Sequence, residues 1–236
     1  MSLPSIHQFA EKVALISGVS SPAGRAVAIQ LALNGAYVVG VSPKGDQAAA
    51  RLANELAELG TLARSVSADV WTDEGARSAA AEVGSAFGRL DILVNCLKFV
   101  PESSFFEISE PALSEALMRN IGPAVFLTRS VLDLMKPRPR PRIVNIAAAS
   151  GSVGNLVFEA AQAGLRSLTR DLSRTLPESF RVNCVEFAAA DRNAGIEGEN
   201  LHPTTRITEP DDVARAVLFL LSSESKAVNG NVMTLG

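Results

Sequence analysis

Few residues in this chain are equipped for chemistry. The clearest is a glycine-bearing turn, SGVSSPAGRAVA at Ser17–Ala28, between an apolar run and a helix-period segment. Such a turn points backbone N–H groups and the positive end of a helix at a pyrophosphate, and its glycines let the backbone come close. Proton transfer needs a group that titrates or donates within reach of its substrate. Candidates are scarce: one tyrosine, Tyr37; two histidines, His7 and His202; two cysteines, Cys96 and Cys184; and the lysines Lys12, Lys44, Lys98, Lys136 and Lys226. The histidines and cysteines show no metal-ligand spacing, so no metal site is expected. Both cysteines fall at the ends of apolar runs, where a thiol behaves as a small hydrophobe. That usage fits a reducing, cytoplasmic setting.

These groups must be positioned by elements that the apolar pattern reveals. Short runs rich in Val and Ile read as strands at Val13–Ser17, Tyr37–Val41, Ala63–Ser67, Asp91–Asn95, Arg142–Ile146, Arg181–Val185 and Asn231–Leu235. Helical periods lie between them at Ala23–Asn34, Asp46–Leu59, Thr72–Phe87, Pro111–Met135, Val157–Leu176 and Glu209–Ser222. Near-continuous apolar strands alternating with amphipathic helices predict a seven-stranded parallel sheet covered on both faces, a single doubly wound Rossmann-type α/β domain over 1–236. Glycines after Asn34 and Leu59 mark helix ends. A net charge of −3 excludes a bulk pull toward nucleic acid, and no apolar run is long enough to span a bilayer. The N-terminus lacks a basic region followed by an apolar core, so no signal peptide is expected. The basic segment KPRPRPR, Lys136–Arg142, reads as a solvated connection held extended by proline, with a phosphate-contacting role as the alternative.

Seven landmarks in order carry a resemblance to the short-chain dehydrogenase/reductase family: SGVSSPAG at the first turn, ADV at Ala68–Val70, LDILVN at Leu90–Asn95, RN at Arg119–Asn120, IVNIAAASG at Ile143–Gly151, RVNCV at Arg181–Val185, and the terminal NGNVMTLG. The resemblance implies a dinucleotide site touching Gly18, Gly24, Asp69 and Asn95. Departures from the family pattern argue against a working one. Pro22 replaces the middle glycine of the turn, removing an N–H donor and adding a ring. Ser42 stands where an aspartate for the ribose is usual; with Lys44 it could instead suit a 2′-phosphate, although a solvated turn fits better. Lys98 takes a glycine place beside the ribose. Phe187, Ala188 and Arg192 replace the segment that holds the nicotinamide. Gly18, Gly24, Asp69 and Asn95 are therefore expected to be vestigial, serving turn geometry and strand-end hydrogen bonds, with no cofactor held by this chain.

The family's proton chemistry uses an asparagine, a serine, and a tyrosine followed four residues later by a lysine. The lysine lies on the same helix face and lowers the tyrosine pKa. By the resemblance these places hold Asn120, Ala148, Phe158 and Gln162. Only the asparagine is retained. No realignment restores the pair, because Tyr37 is the only tyrosine and no lysine lies on the helix after Phe158. Loss of a general acid–base costs roughly 10²–10⁴-fold in rate. Ser150, Glu159, Asp191 and His202 are the alternatives weighed as substitutes, none of them well placed. The expected function is a non-catalytic subunit of an NAD(P)-dependent alcohol or hydroxyacyl dehydrogenase. The resemblance implies a catalytic paralogue carrying NAD(P), joined in a heterotetramer through helices 111–135 and 157–176. A dinucleotide- or metabolite-sensing module and an atypical active reductase are the other readings.

Overall fold

A computed structural model describes residues 8–149, 155–188 and 208–236. Seven strands form one parallel sheet: β1 (Val13–Ser17), β2 (Tyr37–Ser42), β3 (Ala63–Ser67), β4 (Ile92–Asn95), β5 (Arg142–Ala148), β6 (Arg181–Phe187) and β7 (Val232–Leu235). Their order is β3-β2-β1-β4-β5-β6-β7. The order reverses between β1 and β4, so the connections leaving those strands part at their carboxyl ends and open a crevice there.

Helices cover both faces. α1 (Pro22–Leu33), α2 (Ala48–Glu58) and α7 (Pro210–Leu221) share one apolar core with Ala14, Ile16, Val94, Val144 and Ile146. α3 (Asp73–Phe87) and α5 (Thr128–Met135) pack with Leu15, Val39, Leu93 and Ile143 on the other face. α4 (Glu110–Gly122) and α6 (Leu156–Thr175) lie side by side on that second face. Side chains close the helix starts: Ser21, Thr72 and Asn155 accept from the N–H groups of Gly24, Gly75 and Phe158, each at 3.1 Å. Among the described residues no helix is long and apolar enough to cross a membrane.

The predicted architecture stands, with local corrections. The helix expected over 111–135 is interrupted by a π-turn at Pro123–Leu127. Pro123 has no N–H for the preceding turn, so an i to i−4 ladder cannot pass through it, and one residue is bulged out instead. The second helix begins at Ala48 rather than Asp46. The Asp46 carboxylate accepts the Ala48 N–H at 2.8 Å and holds those residues in a turn. β5 and β6 each run two residues further than the apolar runs suggest, to Ala148 and Phe187, because these ends pair with each other.

The first turn shows why its two glycines stay. Gly18 has φ +73°, and a Cβ there would lie 2.5 Å from the Cys96 carbonyl oxygen. A Cβ on Gly24 would lie 2.4 Å from the Gly18 carbonyl oxygen. Both contacts are with backbone, which cannot swing away. Gly18→Ala should therefore cost about 2–4 kcal/mol of stability, seen as a lower urea midpoint with unchanged slope.

Candidate functional site

The crevice at the sheet's carboxyl edge is framed by the β1–α1 turn, the ends of β4, β5 and β6, and helices α4 and α6. Gln162 sits at its centre, fully buried. Its Oε1 accepts the Ala148 N–H at 2.9 Å, and its Nε2 donates to Asn120 Oδ1 at 3.0 Å. Asn120 Oδ1 also accepts the Phe99 N–H at 3.1 Å, and Asn120 Nδ2 donates to the carbonyls of Phe99 and Ala116 at 2.6 and 2.7 Å. Phe158, 1% exposed, packs one helical turn before Gln162. The structure therefore brings Asn120, Ala148, Phe158 and Gln162 into one cluster. Gln162 is held at both ends of its amide, so its stem is fixed. The cluster can brace α4, α6 and β5; it offers no titratable group.

A second layer lies toward β6. Lys98 reaches from the end of β4 until its Nζ stands 3.9 Å from the centroid of the Phe187 ring at the end of β6. Burial pulls the Lys98 pKa below its ordinary value. Cys96 and Cys184, both buried, are close enough to influence it. Burial also raises both thiols, Cys184 to about 12. The loop carrying Lys98 is pinned: Asn120 grips the Phe99 backbone, and the Arg119 guanidinium stands 4.1 Å from the Phe99 ring centroid.

The remaining predicted binding residues are engaged in the fold. Asp69 accepts the Lys44 N–H at 3.1 Å, and Asn95 Nδ2 donates to Asn145 Oδ1 at 2.9 Å. Ser42 donates to the Asp46 carbonyl at 2.8 Å and accepts from Ala49 N–H, which spends its hydroxyl on the β2–α2 turn. Ser20 donates to the Asp46 carboxylate, tying the β1–α1 turn to the β2–α2 turn; this bond depresses the Asp46 pKa. A cavity of about 520 Å³ opens beside the first turn, lined among others by Ser20, Pro22, Arg25, Glu209 and Asp211; none of Asp69, Asn95, Asn120, Ala148, Phe158 or Gln162 lines it. Ser150, Asp191, Arg192 and His202 lie outside the described residues.

Sequence reasoning missed a half-buried ion pair. Arg166 donates to Glu186 and to the Ala148 carbonyl, both at 3.1 Å, joining α6 to the ends of β5 and β6. Its partners lie 18 and 20 positions away, and neither spacing signals contact. Glu159 is different: both carboxylate oxygens are enclosed and have no hydrogen-bond partner among the described residues.

Comparisons with known proteins agree with this geometry at the level of fold. Residues 18–235 match the family described as enoyl-(acyl carrier protein) reductase. The chain is 30% identical to the 3-oxoacyl-[acyl-carrier-protein] reductase FabG of Aquifex aeolicus, over 94% of each chain. It is 29% identical to the (2S)-[(R)-hydroxy(phenyl)methyl]succinyl-CoA dehydrogenase subunit BbsD of Thauera aromatica, again over 94% of each. A dehydrogenase/reductase structure from Sinorhizobium meliloti superimposes with a TM-score of 0.86 at 27% identity, covering 96% of this chain and 94% of that one. L-sorbose reductase from Gluconobacter frateurii, solved with NADPH and L-sorbose, shares the fold at a TM-score of 0.87 and 24% identity, covering 98% of this chain and 97% of that one.

Two outcomes follow from the buried cluster. Gln162→Leu leaves the Ala148 N–H unpaired and should cost about 1–3 kcal/mol in chemical denaturation. At pH 8 a thiol with a pKa of about 12 is roughly one part in 10⁴ thiolate. Ellman's reagent should accordingly find neither Cys96 nor Cys184 in the native chain and both after denaturation.

Proposed function

The chain belongs to the short-chain dehydrogenase/reductase family, and from that premise we propose that it is a non-catalytic subunit supporting a catalytic relative in an NAD(P)-dependent alcohol or hydroxyacyl dehydrogenase complex. The observation that carries the reading is the Asn120–Gln162–Ala148 network. Where the family needs a proton donor and a cation, this chain has an amide with both ends engaged and a buried phenyl ring. A neutral amide held at both ends, by the Ala148 backbone and the Asn120 side chain, has no titrating proton to pass to a substrate.

The residues present do not fit a dinucleotide. Pro22 removes an N–H from the turn that would face a pyrophosphate. The Ser20–Asp46 bond bridges the two turns between which a ribose would lie. Lys98 and Phe187 close the far end with a cation over an aromatic face. NAD(P) accordingly belongs to the partner in this reading.

The partner surface is the α4–α6 pair. Leu113, Leu117, Ile121 and Val125 recur every four residues, and Leu113, Leu117 and Val125 are exposed, as is neighbouring Met118. Alongside, α6 presents Ala160 and Ala163 to the surface. Gly164 packs so close to α4 that a Cβ would meet Ile121 Cδ1 at 3.0 Å, so the two helices act as one plate. A contiguous apolar face of this kind suits a matching pair of helices from a catalytic paralogue, in a heterotetramer. The Thauera relative, named as a subunit, makes a complex of the 2-[hydroxy(phenyl)methyl]succinyl-CoA dehydrogenase kind one concrete case. One observation favours a different reading, an atypical reductase: the enclosed Glu159 carboxylate, which has no hydrogen-bond partner among the described residues.

Native purification followed by intact-mass analysis separates the two. The expected result is one complex containing this chain and an intact relative, with no NADH or NADPH binding by the isolated chain in calorimetry. Turnover by this chain alone, abolished by Glu159→Gln, would establish the reductase reading instead. Recovery of this chain only with copies of itself would remove the heteromeric one.

A further inference from the structure

At the opposite edge of the sheet, where the strands begin, lies a second cavity of about 170 Å³. Lys12, Asp91, Arg140, Arg142, Ser222 and Ser223 line it. We propose that this cavity is a binding site for a phosphate group, held between Arg142, Arg140 and Lys12.

Arg142 is the centre of the argument. It opens β5 and is only 5% exposed. Among the described residues its guanidinium makes no hydrogen bond or ion pair; its backbone N–H donates to the Asp91 carbonyl. A guanidinium stays protonated under any ordinary condition, so a buried one needs an anion. The surroundings supply the opposite. In the parallel register Arg142 stands directly beside Arg181 on β6, and Arg140 is two residues away. Burial, followed by the charges of Arg181 and Arg140, pulls the Arg142 pKa down. Arg181 is itself bound only to neutral carbonyls, those of Glu178, Phe180 and Lys226.

The one carboxylate in the cavity wall is already engaged. Asp91 accepts from the Val13 N–H at 3.1 Å and from Arg138 Nε at 2.7 Å. Lys12 stands 3.4 Å from it and Arg89 3.9 Å. Asp91 therefore sits among three cations before Arg140 and Arg142 are counted. The end of α7 is close by, but a helix end contributes only a partial negative charge. The Ser222 hydroxyl there donates to its own Phe219 carbonyl. The net field in the cavity is positive, and its unspent donors belong to Arg140, Arg142 and Lys12.

Size and geometry select the ligand. By the ~30 Å³ share of a water molecule, the space holds roughly five or six waters, enough for a phosphate group and too little for a nucleotide. A planar guanidinium fork meets a tetrahedral oxyanion with two parallel hydrogen bonds, which chloride cannot return. The phosphate could come as the free ion or as the terminus of a phosphomonoester whose remainder stays outside.

Calorimetric titration of the full-length chain with inorganic phosphate, and separately with ribose 5-phosphate, at ionic strength held constant with sodium chloride, tests this. Saturable one-to-one binding of either probe is expected; tighter ribose 5-phosphate binding would identify a phosphomonoester site, and binding of inorganic phosphate alone a free-ion site. Arg140→Gln, at an exposed position that folding tolerates, should weaken the affinity about tenfold or more, and Arg142→Gln should abolish it. Arg174→Gln, exposed on α6, should leave it unchanged. Absence of saturable binding by both probes, or equal affinity in wild type and Arg140→Gln, would overturn the assignment.

Discussion

Much of this structure follows from one requirement: a buried polar group must find its partner inside the chain. The Gln162 amide meets it by bonding to the Ala148 N–H with one end and to Asn120 with the other. Those two bonds, across 14 and 42 positions of sequence, join three elements. Asn120 then extends the linkage to the Phe99 backbone and so fixes the loop after β4. That loop carries Lys98, whose position over Phe187 depends on the loop being fixed. The Arg166–Glu186 pair performs the same service from the other flank of β5. The crevice at the carboxyl edge is thus braced by the chain's own side chains, which tie α4, α6 and the ends of β5 and β6 together.

The fold was largely legible because parallel sheets advertise themselves. Runs such as VALIS and YVVGV are apolar at nearly every position, since both faces of each strand are covered. Helix ends were legible to within about two residues, as capping chemistry permits. The π-turn was not read, although Pro123 announced it, because a periodic pattern averages over one misplaced residue. Among the site residues, the absence of a tyrosine and lysine pair was plain from composition. That Gln162 would bridge Asn120 and Ala148 was not, because it depends on how close three elements approach. Neither was the Arg166–Glu186 pair, nor that the Glu159 carboxylate finds no hydrogen-bond partner among the described residues.

Charge is handled differently at the two edges of the sheet. At the carboxyl edge the cation Lys98 faces an aromatic ring, and no carboxylate pairs with it among the described residues. At the amino edge Asp91 gathers Lys12, Arg89 and Arg138, while Arg142 and Arg181 stand side by side without an acid between them. The KPRPRPR connection illustrates the division of labour. Arg138 is consumed by the fold, whereas Arg140 and Arg142 are left over. The basic segment is therefore two things at once: Lys136 and Arg138 are paired with acids, while the side chains of Arg140 and Arg142 have no partner among the described residues.

The π-turn at Pro123–Leu127 has a consequence for how this chain tolerates insertion and deletion. α4 shows an apolar stripe to the outside, while Val131 and Met135 of α5 are buried against the sheet. The bulged residue sets the angular offset between these two jobs. Each residue turns an α-helix by about 100°, so removing one from the turn would rotate α5 by that angle and swing Val131 and Met135 out of the core. Length variation here is coupled to which way the outer stripe faces, so that stripe can change through substitutions along Leu113–Val125 and not through changes in helix length.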